Sequence, residues 1–135
     1  MTTAIDGGCL CGDIRYTVST DALEVASCHC RQCQQSCGAP VLTWVNFPRE
    51  AFEYTVGSPA VFASSAKAVR EHCGRCGTQL VFRSLENTDT IDVTANSLDQ
   101  PERFPPEYHI WFDERVSWMR YDDGLPRYAG DAPDD

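Results

Sequence analysis

The chain has 135 residues, of which 42% are hydrophobic, and a formal net charge of −9. This size and composition predict a single domain over 1–135, with a core over about 7–128 and an acidic tail over 129–135. A protein this acidic lacks the basic face that binding to a nucleic-acid backbone requires.

The start of the chain, MTTAIDGG, lacks the basic and then apolar pattern of a signal peptide. No apolar run reaches the roughly 18 residues that a membrane span needs. We therefore expect a cytoplasmic protein that binds neither nucleic acid nor membrane. The composition gives no indication of the oligomeric state.

Short segments rich in β-branched and aromatic residues predict a mainly β protein. In chain order the predicted strands are DIRYTV (13–18), LEVAS (23–27), VLTWVNF (41–47), QLVFR (79–83), TIDVTA (90–95) and YHIWF (108–112). Short helices are predicted for RQCQQS (31–36) and PREAF (48–52). The three prolines of LDQPERFPPEY (98–108) predict a long surface loop, and long ordered loops often carry function.

Eight cysteines are concentrated in three short motifs, GGCLCGD, SCHCRQCQQSC and HCGRCGT. Disulfides are rare in a reducing cytosol, so clustered cysteines there indicate metal ligands or catalytic or redox thiols. An extended Cys-x-Cys places both side chains on one face without bringing the two sulfurs to bonding distance. Such a pair binds a third atom more easily than it forms a disulfide.

The first and third motifs, with Cys9 and Cys11 and with Cys73 and Cys76, both end in Cys-Gly. A glycine with positive φ lets backbone N–H groups turn toward a thiolate. If two such motifs come together, they make a closed four-cysteine tetrahedron, the usual structural zinc site. The alternative is a disulfide or redox dithiol of Cys73 and Cys76 alone, which no thioredoxin-like βαβ pattern supports.

The second motif supplies three thiolates from six residues, Cys28, Cys30 and Cys33. Structural zinc uses four protein ligands, whereas catalytic zinc keeps three and leaves one position for water or substrate. Cys37, one helical turn after Cys33, either closes the site or is buried and inert. A thiolate-rich zinc is a weak Lewis acid toward water and favours sulfur, so we expect it to activate an incoming thiol for attack on carbon.

The three histidines are further candidates for closing the second site, and each could act as a general acid or base near neutral pH. His29 alternates with the cysteines and is expected to point away from the metal, while His72 directly precedes the third motif. His109, just after the proline-rich loop, is the preferred catalytic candidate, although an isolated histidine is more often structural.

Four arginines near the motifs could screen the thiolates or bind the carboxylates of an anionic substrate, with solvent exposure as the default. They are Arg31, Arg70, Arg75 and Arg83.

The order of these motifs resembles the glutathione-dependent formaldehyde-activating enzyme family, which includes centromere protein V. The segments GGCLCGDIRY, CHCRQCQQSCGAP, HCGRCGTQL, DVTANSLDQP and PEYHIWFDERVSWMRYDDGLPRY follow the family pattern in order, from about residue 7 to residue 128. The resemblance implies an Mss4-like β-tent of small antiparallel sheets organised around two zinc ions.

The resemblance also implies the two ligand sets. These are Cys9, Cys11, Cys73 and Cys76 on a structural zinc, and Cys28, Cys30 and Cys33 on a catalytic zinc. The family reaction joins glutathione to formaldehyde to give S-hydroxymethylglutathione, and the reverse step makes it a carbon-sulfur lyase. A small-molecule thiol, with glutathione as co-substrate, is therefore the expected partner, and His109 joins the three cysteines as a catalytic candidate.

Two other classes of function compete with this enzyme. The Mss4-like fold also permits a noncatalytic zinc module that binds a protein partner, for which a zinc capped by Cys37 and a broad exposed apolar patch would be evidence. A redox-sensing thiol cluster predicts loss of zinc on mild oxidation. An open fourth position at the second zinc favours the enzyme.

Overall fold

The computed structural model describes residues 4–133, which form ten strands, one α-helix and four short 3-10 helices. The strands are β1 (Ile5–Gly8), β2 (Arg15–Val18), β3 (Glu24–Cys28), β4 (Leu42–Pro48), β5 (Phe52–Val56), β6 (Ala60–Ser65), β7 (Ala68–His72), β8 (Gln79–Ser84), β9 (Thr90–Thr94) and β10 (Tyr108–Ile110). The helix α1 is Arg31–Cys37. The mainly β prediction is confirmed. Residues 1–3 and 134–135, which fell within the predicted domain and tail, lie outside the described residues.

The strands form two sheets. One has three antiparallel strands in the order β1-β2-β5, and the other has seven in the order β10-β3-β4-β9-β8-β7-β6. Every neighbouring pair in the larger sheet is antiparallel except β10 and β3, which are parallel. The expectation of small antiparallel sheets therefore holds for one sheet, while the other is large and mixed.

The central strands β4 and β9 have one face in the hydrophobic core and the opposite face toward the candidate functional site. Val45 and Val93 are paired across the two strands, and both are fully buried. Because side chains alternate along a strand, the opposite face of the same strands carries Trp44 and Asp92. The core contains residues of both sheets, including Ile5, Tyr16, Val18, Val45, Phe47, Leu80, Val81, Ile91 and Val93. Each such side chain stabilises the fold by about 1.5–3 kcal/mol on burial.

Helix α1 confirms the predicted helix and extends it by one residue. Cys30 is its N-cap, with extended backbone angles, and the Cys30 Sγ accepts a hydrogen bond from the Cys33 N–H. The helix ends at Cys37 and is capped by Gly38, whose φ of 67° is the left-handed conformation that glycine adopts without strain.

Several local predictions need correction. PREAF forms a 3-10 helix over Arg49–Ala51, after which β5 begins. The proline-rich loop contains a 3-10 helix, Pro101–Arg103. YHIWF is a strand only to Ile110, because Trp111 has a φ of 54° and starts the 3-10 helix Phe112–Glu114. The fourth 3-10 helix is Ala95–Ser97. Strands β1, β5, β6 and β7 were not predicted.

The start of the acidic tail packs against the chain. The Trp111 backbone N–H donates to the Gly130 carbonyl, and the Trp111 indole Nε1–H donates to Asp131 Oδ1 at 2.9 Å. Within residues 4–133, no helix is long and apolar enough to cross a membrane.

Candidate metal centres

The first sulfur cluster joins two turns that are far apart in the sequence. Cys9 and Cys11 lie between β1 and β2, and Cys73 and Cys76 lie between β7 and β8. Their four sulfurs lie within 4.8 Å of one another, with 3.6 Å from Cys9 to Cys11 and 3.7 Å from Cys11 to Cys73. In a zinc tetrahedron with Zn–S bonds of about 2.3 Å, the sulfurs are about 3.8 Å apart. The geometry therefore fits zinc.

Glycine shapes both turns of this four-cysteine cluster, as predicted. Gly12, after Cys11, has a φ of 84°, and Gly77, after Cys76, has a φ of 80°. In the first turn the chain beyond the glycine directs the Ile14 N–H to the sulfur of Cys9 at 3.2 Å.

In the second turn the backbone donors precede the glycine. The N–H groups of Arg75 and Cys76 both donate to the Cys73 sulfur at 3.4 Å. A hydrogen bond with the Thr78 hydroxyl lowers the pKa of the Cys76 thiol to about 5. Backbone and hydroxyl donors thus stabilise thiolates, the form that binds metal.

The second sulfur cluster comes from one short stretch of chain. Cys28 ends β3, Cys30 caps α1 and Cys33 lies in its first turn. The three sulfurs lie within 4.8 Å of one another, and those of Cys28 and Cys30 are 3.3 Å apart. This three-cysteine cluster fits three corners of a zinc tetrahedron.

Arg70 supports the three-cysteine cluster from β7. Its Nη2 donates to the Cys33 sulfur at 3.6 Å, and its guanidinium lies 5.1 Å from the centre of the Phe82 ring and 5.8 Å from that of Trp44. Hydrogen bonds from the Cys28 and Cys30 thiols, with the charge of Arg70, lower the pKa of the Cys33 thiol far below its usual range. Arg70 is buried, so the default of an exposed arginine is wrong for it.

A cavity of about 480 Å³ opens onto the three-cysteine cluster. Its walls are aromatic and aliphatic, and charged side chains of both signs complete its lining. The apolar residues are Trp44, Phe82, Ile110 and Trp111, and the charged ones are Arg31, Arg70, Asp92, Glu114 and Asp131. A small molecule in this cavity would lie against the three-cysteine cluster, because Cys28, Cys30 and Cys33 also line it.

Cys37 does not join the three-cysteine cluster, since its sulfur is not part of the group that lies within 4.8 Å. The Cys37 thiol instead lies 3.9 Å from the carbonyl oxygens of Gln34 and Ala39. It lines a separate groove beside Cys9 and Cys76. In this structure α1 therefore directs Cys37 away from the three-cysteine cluster and toward the groove on the side of the four-cysteine cluster.

Two of the three histidines, His29 and His109, form a buried hydrogen-bonded chain and belong to neither sulfur cluster. His29 is fully buried and points away from the sulfurs, as predicted, with its Nε2 2.8 Å from His109 Nδ1. His109 Nε2 lies 2.7 Å from the carboxylate of Asp123. Since a carboxylate only accepts, His109 donates to Asp123 through its Nε2–H, and the His109 Nδ1 shares a hydrogen bond with the His29 Nε2. The His29 Nδ1 is left without a hydrogen-bond partner among residues 4–133.

An aromatic enclosure surrounds this histidine chain. The ring of His29 packs edge to face against Phe112 and Tyr121, at 5.1 and 4.7 Å between centroids. Burial lowers the pKa of His29 to about 4, so the ring is neutral at physiological pH. His109 is 2% exposed and does not line the cavity, and its catalytic role stays a prediction. His72 is half-buried and lies in neither sulfur cluster.

Asp92 is a cavity residue that the sequence analysis missed. It lies within the predicted strand TIDVTA (90–95), for which the sequence indicated no function. Its alternation with the buried Ile91 and Val93 indicates that it faces away from the core. That signal was present in the sequence, but no pattern revealed that the opposite face forms a cavity.

A mainly β fold with a four-cysteine and a three-cysteine cluster defines a class of cysteine-rich β proteins whose clusters could hold metal ions. The family model for the glutathione-dependent formaldehyde-activating enzyme matches residues 4–114, and this chain belongs to that family.

Two similar proteins extend the comparison. A Schizosaccharomyces pombe protein named "Uncharacterized lyase C29B12.13" is 32% identical over 92 residues, which are 67% of this chain and 65% of that protein. The match thus spans slightly less than two thirds of the relative. A crystal structure of a Rhodobacter sphaeroides protein has a TM-score of 0.59 at 15% identity, covering 91% of this chain and 98% of the other, and shares the fold.

Proposed function

We propose that the chain binds two zinc ions and acts as a carbon-sulfur lyase or synthase. It adds a thiol such as glutathione to formaldehyde or a related small electrophile, and it catalyses the reverse step. The observation that carries this proposal is a cluster of only three sulfurs facing a cavity of about 480 Å³. Membership of the family supports the same reaction.

In this proposal the two sulfur clusters have different tasks. Cys9, Cys11, Cys73 and Cys76 complete a tetrahedron and hold a structural zinc, whereas Cys28, Cys30 and Cys33 leave one position free. Sets of three or four thiolates select soft metals, and sulfur separations of 3.3–3.7 Å support zinc.

A zinc ion bound by the three cysteines would lower the pKa of an incoming thiol and hold the sulfur beside the electrophile. Arg70 offsets part of the negative charge of the sulfurs through its hydrogen bond to Cys33. The rings of Trp44 and Phe82 reduce the water around the reacting atoms. Arg31, exposed at the cavity, is placed to pair with a carboxylate of the thiol.

The experiment measures exchange between glutathione and its formaldehyde adduct by NMR, with and without the zinc-loaded protein. We expect exchange faster than the spontaneous rate, and we expect Cys30→Ser to abolish the acceleration. Cys37→Ser is the matched control, because Cys37 belongs to neither cluster. Exchange at the spontaneous rate with the wild-type protein contradicts the proposal for this substrate.

The rival noncatalytic module has less support. It predicted a second zinc capped by Cys37, and Cys37 lies outside the three-cysteine cluster. The redox-sensing alternative stays testable by the release of zinc on mild oxidation. A cytoplasmic location remains a prediction from the sequence.

A further inference from the structure

Asp92 places a carboxyl group in the wall of the cavity that faces the three-cysteine cluster. Its cross-strand neighbours are Asn46 on β4 and Phe82 on β8. Trp44, two residues from Asn46 on the same strand face, lines the same cavity. The sheet register therefore sets an acid among aromatic rings, a position that costs stability unless the carboxyl group is hydrogen-bonded or paired with a cation.

The carboxyl of Asp92 is only partly satisfied. Its Oδ1 accepts one hydrogen bond, from Asn46 Nδ2 at 2.9 Å, and no ion pair involves Asp92 within the described part of the chain. Arg70, the buried cation of the same cavity, donates instead to Cys33, Ser36 and Gln79. One carboxyl oxygen is thus left to interact with a ligand in the cavity.

The surroundings of Asp92 tune it for proton transfer near neutral pH. Burial raises the pKa of Asp92 to about 6, and the negative charges of Glu24, Cys33 and Asp131 act in the same direction. Groups that exchange protons during catalysis work best with a pKa close to the operating pH. An ordinary aspartate would be too weak a base to accept a thiol proton and return it.

We propose that Asp92 is the catalytic residue that moves the proton during the addition of thiol to aldehyde. This inference rests on the proposed function above. The Asp92 carboxylate accepts the proton of the thiol, the sulfur lone pair forms the new bond to the carbonyl carbon, and the carbon-oxygen π pair moves to oxygen. Protonated Asp92 then gives the same proton to that oxygen, so the product is the hydroxymethyl thioether and the carboxylate is restored. The reverse reaction runs through the same transfers.

The competing explanation is that Asp92 serves only as a cross-strand partner of Asn46. Asp92→Asn separates the two roles, because its amide oxygen still accepts the Asn46 hydrogen bond while the amide cannot carry the proton. Asp89→Asn is the matched control. Asp89 is exposed, precedes β9 and does not line the cavity.

The test follows glutathione-formaldehyde exchange between about pH 5 and 9, with zinc content measured in each variant. We expect Asp92→Asn to keep both zincs, to lose about 100-fold or more in kcat and to lose the limb of the pH profile near 6, while Asp89→Asn is unchanged. Full activity with an unchanged pH profile in Asp92→Asn overturns the inference even though the proposed function stands.

A second readout does not depend on activity. The ¹³C resonance of the Asp92 carboxyl, assigned by its absence in Asp92→Asn, is followed through a pH titration of the zinc-loaded protein with and without glutathione. We expect titration near pH 6 and a shift when the thiol binds. A carboxyl that titrates in the ordinary aspartate range, about 3.9, and ignores the thiol overturns the role of Asp92, whether or not the wild-type protein accelerates the exchange.

Discussion

The two sulfur clusters differ in how the chain builds them. The four-cysteine cluster joins the β1–β2 turn to the β7–β8 turn, and backbone N–H groups of Ile14, Arg75 and Cys76 donate to its sulfurs. The three-cysteine cluster comes from six consecutive residues, and its external donor is the side chain of Arg70. The first therefore links distant parts of the fold, while the second is local and faces a cavity.

This difference separates stability from reactivity. A metal that joins residues more than 60 positions apart ties the two sheets together, because β1 and β2 belong to one sheet and β7 and β8 to the other. A metal bound by a single stretch of chain contributes less to the overall fold. In the proposed function, its incomplete ligand set leaves a position for the thiol substrate.

Breaking the four-cysteine cluster should have the largest effect. Cys73→Ser removes a buried ligand that also receives two backbone hydrogen bonds. Structural zinc contributes about 10–16 kcal/mol of folding free energy in small zinc domains, which is comparable to the whole stability of a typical domain, about 5–15 kcal/mol. We expect loss of the native circular dichroism spectrum and of zinc. A Cys73→Ser protein that keeps its spectrum and both metals contradicts the structural assignment.

Breaking the three-cysteine cluster should have a different outcome. Cys30→Ser removes one of three ligands but keeps the N-cap of α1, because a serine hydroxyl accepts the hydrogen bond from the Cys33 N–H as the Cys30 sulfur does. We expect a folded protein with one zinc and no catalysed exchange, as measured by metal analysis, circular dichroism and NMR. If Cys30→Ser unfolds the protein as Cys73→Ser does, the assignment of a structural role to one cluster and a catalytic role to the other is contradicted.

The carboxylate of Asp92, in the cavity beside the three-cysteine cluster, should lower the free energy of unfolding at neutral pH. Folding raises the pKa of Asp92 from 3.8 to about 6. Between pH 3.8 and about pH 6, the folded protein therefore binds more protons than the unfolded chain. The free energy of unfolding therefore falls as pH rises through this window, and the full penalty is present above pH 6. We expect Asp92→Asn to be more stable than wild type at pH 7 by about 1–3 kcal/mol in urea unfolding. A difference in the free energy of unfolding between Asp92→Asn and wild type that is the same at pH 7 and below pH 4 would contradict this effect.

The histidine chain beneath the three-cysteine cluster offers a further comparison. His109→Phe keeps a ring of similar size but leaves the His29 Nε2 buried without its hydrogen-bond partner. We expect a loss of about 1–3 kcal/mol in the free energy of unfolding, with exchange activity retained at temperatures where the variant is folded. Loss of kcat with unchanged stability would instead support the predicted catalytic role of His109. Asp123→Asn, at the exposed end of the chain, should have a smaller effect.

Cys37→Ser should have the smallest effect of all. Its sulfur belongs to neither cluster and makes only long contacts to two carbonyl oxygens. We expect a change within about 0.5 kcal/mol in stability, as for ordinary surface substitutions, with two zincs retained. Loss of the second zinc in Cys37→Ser would show that Cys37 closes the site.

The spacing of the cysteines in the sequence predicted their grouping better than the hydrophobic pattern predicted the strands of the fold. Cys28, Cys30 and Cys33 lie within six residues, so their proximity follows from local geometry alone. The contact of Cys11 with Cys73 depends on how two turns meet across the sheets, and only the family resemblance supplied that pairing. The glycines that follow Cys11 and Cys76 were a local signal, and their positive φ is confirmed.

The unpredicted parts lacked a local signal. Strand β7 contains Arg70 and Glu71, which look exposed in sequence but are buried, because Arg70 donates to Cys33 and Glu71 pairs with Arg83. The contact of His29 with His109 depends on the parallel pairing of β3 with β10. Partners supplied by strand register are not visible in the order of residues.

Zinc-edge X-ray absorption, combined with metal analysis, tests the central claim most directly. Four sulfurs at one site and three at the other give a mean of 3.5 sulfurs per zinc, with two zincs per chain. We expect this mean to rise to four when glutathione is added, because the thiol fills the open position. A mean of four without added thiol, or no change on adding it, would contradict an open three-cysteine site.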